Sequence, residues 1–330
     1  MAQPGIRNLI TDVAGLRVGQ AEDRDVRTGT TVIVSDQPVV AAVAIAGGGP
    51  GTRETELLRG GMMVDDVDAI CLSGGSAFGL AAADGVADAL KQAGRGFAVS
   101  PVPGVPPTPI VPAAILYDLA NGGDKDWGTP SPYAALGRAA FAATGQEIAL
   151  GAAGAGFGAM AGTRKGGVGS ASIVTQDGLT IGALAAVNCV GSATLPGSDV
   201  FWAWPFEESG EFGGARLPEN YAFDAEDWSG AKLNPALGQN TTIACVATDV
   251  ALTPSEAQRV AQMALSGFSR AIRPVFAPFD GDAVFVLSTA KRQLPTPAPL
   301  HVTRIGELAA STLARSIARG VFEASKSVAY

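Results

Sequence analysis

A single histidine, His301, is all the imidazole in this 330-residue chain. A Ser-His-Asp triad could draw on that residue alone, and a zinc site built on several histidines is excluded. His301 lies in Pro297-Ala298-Pro299-Leu300-His301-Val302, which reads as a proline-rich loop entering the last helix, so a loop-packing or surface role is expected. If the chain is an enzyme, its base is an amine, a carboxylate or water. Cysteine is nearly as scarce. Cys71, Cys189 and Cys245 stand singly in apolar runs, at spacings that match no metal pattern, and are expected as buried free thiols in a reducing compartment.

Charge is also sparse. Only 16% of residues are charged, the net charge is −8, and no basic cluster occurs, which argues against nucleic acid as a partner. No uncharged apolar run has membrane-spanning length, and Met1–Asn8 lacks the apolar core of a signal peptide. A cytoplasmic location without a membrane partner is therefore expected. Glycine and aliphatic residues are plentiful: 47% of the chain is hydrophobic, and 43 glycines sit among Val, Ile, Leu and Ala. That mixture points to tight turns and closely packed layers, not to disorder. There is no internal repeat and no clean boundary, so residues 1–330 are read as one domain with a sizeable core.

Along the chain, 6–46 reads as short strands and turns, with β-branched runs at 29–34 and 39–45 ahead of Gly47-Gly48-Gly49-Pro50-Gly51. That glycine run lacks the Gly-Lys-Ser/Thr ending of a P-loop and is taken as a tight turn near a pocket. Val67–Leu72 is a buried strand feeding Ser73-Gly74-Gly75-Ser76 and a helix over 80–93. The spacing there is not that of a nucleophile elbow, so the glycines are assigned to helix–sheet packing and Ser73 or Ser76 to a cap. A strand pair is expected at 171–174 and 179–190. Thr253-Pro254-Ser255-Glu256 opens a helix with a capping box, and 305–324 closes the chain as an amphipathic helix.

Residues 191–240 hold three of the four tryptophans and little periodicity, as a functional loop or linker would. They end at Gln239-Asn240-Thr241-Thr242-Ile243, a polar string running into an apolar strand. A threonine at the head of a strand is ordinary, and the local string alone favours that reading. The alternative is a cut between Asn240 and Thr241, which would give Thr241 an α-amine of its own as base. Asp280-Gly281-Asp282 is most often a turn, and a lone Lys165 in its glycine-rich setting is most often a solvated charge. Asn188, inside the apolar strand Ala186–Val190, is different, because a buried amide needs partners. A functional role is favoured for Asn188 on that ground.

Taken together, Asn240-Thr241-Thr242-Ile243, Asp280-Gly281-Asp282, Lys165 and Asn188 resemble the P1 family of self-processing peptidases. These are the DmpA-like N-terminal-nucleophile hydrolases, and the likeness is greatest to their nylon-oligomer hydrolase branch. Ile70–Leu80, Ala114–Leu119 and Arg270–Pro274 extend the resemblance over nearly the whole chain. It implies an α/β fold, a layered αββα sandwich, cut by its own nucleophile into 1–240 and 241–330 and assembled as a homo-oligomer of processed pairs. It implies Thr241 as nucleophile, its α-amine as base and Asn188 as oxyanion donor. Lys165 would lower the amine's pKa, Asp280 and Asp282 would position amine and hydroxyl, and Tyr117 would line the pocket. No metal or cofactor is required. The substrate implied is a small peptide or ω-amino-acid oligomer amide. Three rivals stand beside this reading: an aminopeptidase releasing small N-terminal residues, an acetyl-transferring relative, and an unprocessed binding protein in which Thr241 is merely a strand residue.

Overall fold

Two β-branched runs that the sequence sets apart are joined in space by one bent strand. A computed structural model of the chain describes residues 1–232 and 240–326. Its strand β1 (Leu16–Asp23) pairs antiparallel with β2 (Thr28–Ile45), which is 18 residues long. The 6–46 region was expected as short strands; instead β2 continues through exposed Asp36-Gln37-Pro38. Pro38 has no N–H to give a ladder, and the register of β2 shifts between Val34 and Val39. The proline therefore marks a bend in the strand, not a chain reversal.

β2 belongs to two half-sheets. Its first half pairs with β1 and with β4 (Asp66–Ser73), which follows the two-residue β3 (Thr52–Arg53). Helix α1 (Ala82–Gln92), strand β5 (Ala113–Ile115) and helix α2 (Tyr133–Ala142) follow, with β5 parallel to β4 and antiparallel to β3. A small ladder, β6 (Met160–Ala161) with β7 (Arg164–Lys165), precedes the hairpin β8 (Gly167–Val174) and β9 (Thr180–Asn188). β10 (Thr241–Val250) leads into α3 (Pro254–Ala271), then β11 (Ala283–Arg292) and α4 (Ala298–Lys326). The second half of β2 pairs with β11, and the order continues β11-β10-β9-β8.

Three apolar clusters separate four layers. The middle one takes Ile33, Ile70 and Leu72 from one half-sheet and Leu184, Ala186, Ile243, Cys245 and Phe285 from the other. Alternate residues, such as Ala183, Ala185, Val187, Ala244 and Val246, face α3 and α4, while Val32, Val34, Ala69 and Cys71 face α1 and α2. This period-2 partition is that of two sheets buried on both faces. The architecture is the expected αββα sandwich, with all three cysteines buried and free.

Several local expectations change. α4 starts at Ala298, so His301 lies within a helix and not in a loop before it. Neither Ser73 nor Ser76 caps a helix: the turn begins at Gly75 without a side-chain cap, and Ser73 Oγ bonds Thr30 Oγ1 at 2.9 Å. Asp118 fills the glycine turn, accepting from Gly75 N at 2.7 Å and Thr28 Oγ1 at 2.7 Å. The capping box at Thr253 and Glu256 forms as expected. Among the described residues no helix is long and apolar enough to cross a membrane.

The irregular stretch after β9 is tied to the sandwich by a buried ion pair. Arg315 of α4, 2% exposed, donates to both oxygens of Glu211 at 2.5 and 3.0 Å, to Asn8 Oδ1 at 2.9 Å and to Ser172 O at 2.8 Å. Removing one partner of such a pair leaves a desolvated charge, a loss of about 3–5 kcal/mol. Glu211→Ala is accordingly expected to lower unfolding free energy by about that amount in urea denaturation. A loss under about 1 kcal/mol, the range of exposed pairs, would contradict this.

Candidate active site

The site begins with a register. β9 and β10 run antiparallel with Thr241 directly opposite Asn188, so the two side chains emerge on one face as cross-strand neighbours. Parity fixes which face. Ile243, Cys245, Leu184 and Ala186 all point into the middle layer, and Thr241 and Asn188 continue that row to the end of the strands. Both are buried, at 3% and 2% exposure.

The Thr241 hydroxyl donates to the carbonyl oxygen of Asn240, the residue before it. On the other side Gly281 comes so close that a Cβ there would stand 2.6 Å from Thr241 Oγ1 and 3.0 Å from Gly49 O. Only glycine leaves room for the hydroxyl. The Asp280-Gly281-Asp282 turn itself rests on the earlier glycine run: Gly49 N donates to Asp280 O at 2.7 Å and Ala46 N to Asp282 O at 3.0 Å. A Cβ on Gly47 would strike Asp280 O at 2.4 Å. The glycine run expected as a tight turn near a pocket forms a bed under the acidic turn, and the cavities at Asn188 and Lys165 are lined by other residues.

Both acids are 1% exposed. Asp282 accepts from Thr242 N at 2.7 Å and from Phe276 N at 3.2 Å; Asp280 accepts from Ala277 N at 3.2 Å. Burial raises both pKa values from the ordinary carboxylate range, and for Asp282 the neighbouring Asp280 raises it further. Two such carboxyls interact too strongly to ionise independently.

Among the described residues, Met160, Lys232 and Tyr117 fix the orientation of the Asn188 amide. Oδ1 accepts from Met160 N at 2.9 Å and from Lys232 Nζ at 3.4 Å, while Nδ2 donates to Tyr117 O at 2.9 Å. With donors on the oxygen side, the NH2 group has to face the other way. Tyr117 therefore reaches the site through its main-chain carbonyl, and it lines a cavity of about 240 Å³ together with Asn188, Met160 and Lys232.

Lys165 lies one link further out. It pairs with Met160 across β6 and β7 and lines an adjoining cavity, not the one bounded by Asn188. The amine that touches Asn188 is Lys232, which sequence reasoning did not single out. Its Nζ also donates to Asn188 O at 3.2 Å, and burial lowers its pKa to about 8 against the opposing pull of Cys189 and Asp280. Main-chain bonds hold it there: Lys232 N donates to Val190 O at 2.8 Å and Thr163 N to Gly230 O at 3.0 Å. One signal was available in the sequence, since Lys232 is the single cation between Arg216 and Thr241. Gln239, just before the expected cut, lies outside the described residues. Among the described residues no group of three or more His, Cys, Asp or Glu could hold a metal ion.

A family model described as Peptidase family S58 matches residues 8–330. An uncharacterized aminopeptidase of Mycobacterium tuberculosis is 42% identical over 339 residues, covering 96% of this chain and 94% of the relative. A 6-aminohexanoate-oligomer endohydrolase of Kocuria sp. is 32% identical over 304 residues, covering 88% and 78%. Among solved structures, a Burkholderia sp. beta-aminopeptidase superposes with a TM-score of 0.66 at 24% identity, over 97% of this chain and 88% of the other. The L-aminopeptidase D-Ala-esterase/amidase of Ochrobactrum anthropi, a variant among the Ntn hydrolase fold, gives 0.67 at 19% identity, over 96% and 86%.

Two outcomes follow from the geometry. Because the folded state binds more protons than the unfolded chain between about pH 3.9 and the raised pKa values of the acid pair, this pair's contribution to stability falls as pH rises through that window. Asp280→Asn should flatten the slope in a pH series of thermal unfolding; an unchanged slope would count against the coupling. Gly281→Ala should displace the Thr241 hydroxyl and reduce amide turnover by about tenfold or more. Its far-UV circular dichroism should stay that of wild type, and full turnover would show that the contact is loose.

Proposed function

The chain belongs to peptidase family S58 and is a hydrolase of peptide or amide bonds; from that premise we propose a self-processing amidase whose nucleophile is Thr241. The observation that carries this reading is the Thr241 hydroxyl lying against the Asn240 carbonyl at the head of β10. Thr241 Oγ attacks the Asn240 carbonyl carbon, the C–N bond breaks, and the acyl group passes from nitrogen to oxygen while the nitrogen takes up the proton. Water then hydrolyses the ester, leaving 1–240 and 241–330.

The freed α-amine of Thr241 becomes the base for turnover, with an ordinary pKa of about 7.7–8.0 that suits neutral operation. Asp282, which holds Thr242 N at 2.7 Å, and Asp280 beside it fix the start of the strand and face the new ammonium. The substrate amide is attacked by the same hydroxyl, gives an acyl-enzyme and is released by water. Asn188 supplies the donor to the oxyanion, a contact whose removal costs about 3–4 kcal/mol in the barrier. Lys232 keeps that amide turned and adds positive charge next to it; Lys165 contributes from the adjoining cavity. Tyr117 shapes the wall. Processed pairs assemble into a homo-oligomer, and small peptides or ω-amino-acid oligomers are the substrates.

An aminopeptidase is the second reading, favoured by the name and the 42% identity of the mycobacterial relative. It needs an acid to hold a substrate ammonium. Asp118 lines the Asn188 cavity, yet each of its oxygens already accepts one bond, from Thr28 and Gly75, and burial raises its pKa. That engagement favours an amidase that does not depend on a free N-terminus.

Intact mass and a denaturing gel test the proposal. Wild type should give two fragments meeting at Asn240/Thr241, Thr241→Ala one full-length band, and Thr241→Ser two. A full-length wild type that still hydrolyses amides would remove Thr241 from the mechanism. Lys232→Met should lower kcat by about tenfold or more, as expected for loss of a charged hydrogen bond. Lys232→Arg should recover part of that loss, and its pH profile should lose the falling limb due to Lys232 deprotonation near 8 while keeping the rising limb of the α-amine.

A further inference from the structure

Beside the cavity at Asn188 lies a larger one of about 330 Å³, and the two share Asn121, Gly158 and Met160 in their walls. Its volume is at the small end of the roughly 300–1,000 Å³ of small-molecule sites. Three cations line it, Arg24, Arg27 and Lys165, and no acid is among its described lining residues. The chain as a whole has 23 Lys and Arg against 31 Asp and Glu, so this grouping runs against composition. Phe157 and Met160 give the cavity an apolar side.

Arg27 is tied to the wall that the two cavities share. Its Nη1 donates to Asn121 O at 3.2 Å, and Asn121 Nδ2 donates back to Arg27 O at 2.6 Å and to Gly158 O at 3.2 Å. The guanidinium is thereby held where the two cavities meet, with the rest of its donor fork available for a planar anion. Guanidinium and carboxylate match in a bidentate pair. A second cation on the same cavity, with a methylene-compatible wall between, suits an acid on a short aliphatic stem.

We infer that this cavity binds a carboxylate of the substrate, so the preferred substrates are short amides or peptides that carry a free carboxylate on an aliphatic chain. The inference rests on Thr241 and Asn188 being the reacting site. It also bears on selectivity: a cationic cavity rejects an ammonium at the position where it accepts a carboxylate.

The test uses the full-length protein as it processes itself, with Arg27→Gln beside wild type. Matched short amides ending in a free carboxylate or in a carboxamide are compared for kcat and KM. Wild type should favour the carboxylate by about tenfold or more in kcat/KM, through KM, which is the size of one charged contact. Arg27→Gln should raise KM for the carboxylate and leave the carboxamide unchanged. Calorimetric binding of hexanoate against hexanamide gives a readout independent of turnover. Hexanoate binding that Arg27→Gln abolishes, without hydrolysis of any amide, would keep the cavity and overturn the amidase reading. Hydrolysis of both amides with equal KM, and equal binding of hexanoate and hexanamide, would overturn the carboxylate site alone.

Discussion

The pairing of Thr241 with Asn188 is the constraint on which the rest of the site depends. In an antiparallel ladder a slip of one residue turns every side chain to the opposite face. Here that slip would point Thr241 at α3 and α4 and bury the polar end of the row in apolar packing. What prevents it is the middle layer, where Ile243, Cys245, Leu184, Ala186 and Phe285 fill the space between half-sheets. The hydroxyl and the amide therefore share a face because the residues behind them are apolar at every second position. The core aims the site.

Around that pair the structure places charges where burial makes them costly. Asp280 and Asp282 are held beneath the head of β10 by main-chain N–H groups, and desolvation raises both their pKa values. Lys232 shares the same surroundings from the other side, and burial lowers its pKa. Acids pushed up and an amine pushed down are both the mark of desolvation, which disfavours the charged form of each. The two glycine-rich turns make this possible at close range. A side chain at Gly47 or Gly281 would occupy the space now taken by Asp280 O or by Thr241 Oγ1.

The segment after β9 brings Lys232 to the candidate site. It is tied down at its far side by Glu211 on Arg315 and, next to Asn188, by Lys232 on Val190 and Asn188. A stretch with little periodicity is thus anchored by polar contacts as well as by buried apolar side chains. Phe201, Ala203 and Phe212 of the same stretch enter the core beside α3 and α4, but at irregular spacing, which is why hydrophobic patterning does not reveal them.

Much of the architecture was legible in the order of residues. Alternation and β-branched runs mark the strands, Thr253-Pro254-Ser255-Glu256 marks the start of α3, and an amide inside an apolar strand marks Asn188 as exceptional. The motif string around Thr241, with Asp280-Gly281-Asp282, indicates the family, because those residue types recur in one order along the chain. Other features were not legible. Pro38 reads as a break between strands, yet the chain bends and continues, since pairing on both flanks outweighs one missing N–H. His301 follows two prolines and reads as loop, while α4 already begins at Ala298. Lys232 carries no motif, and Lys165, the lysine set in glycines, drew attention in its place. Local sequence determines periodicity, turn chemistry and residue type, so it determined the layers and the inventory of reactive groups. Which lysine meets Asn188, which glycine makes room for Thr241 and which arginine stands at the next cavity depend on contacts between segments tens to hundreds of residues apart. Only the packed structure decides those, because the distances that govern hydrogen bonds and pKa values exist only after the layers close.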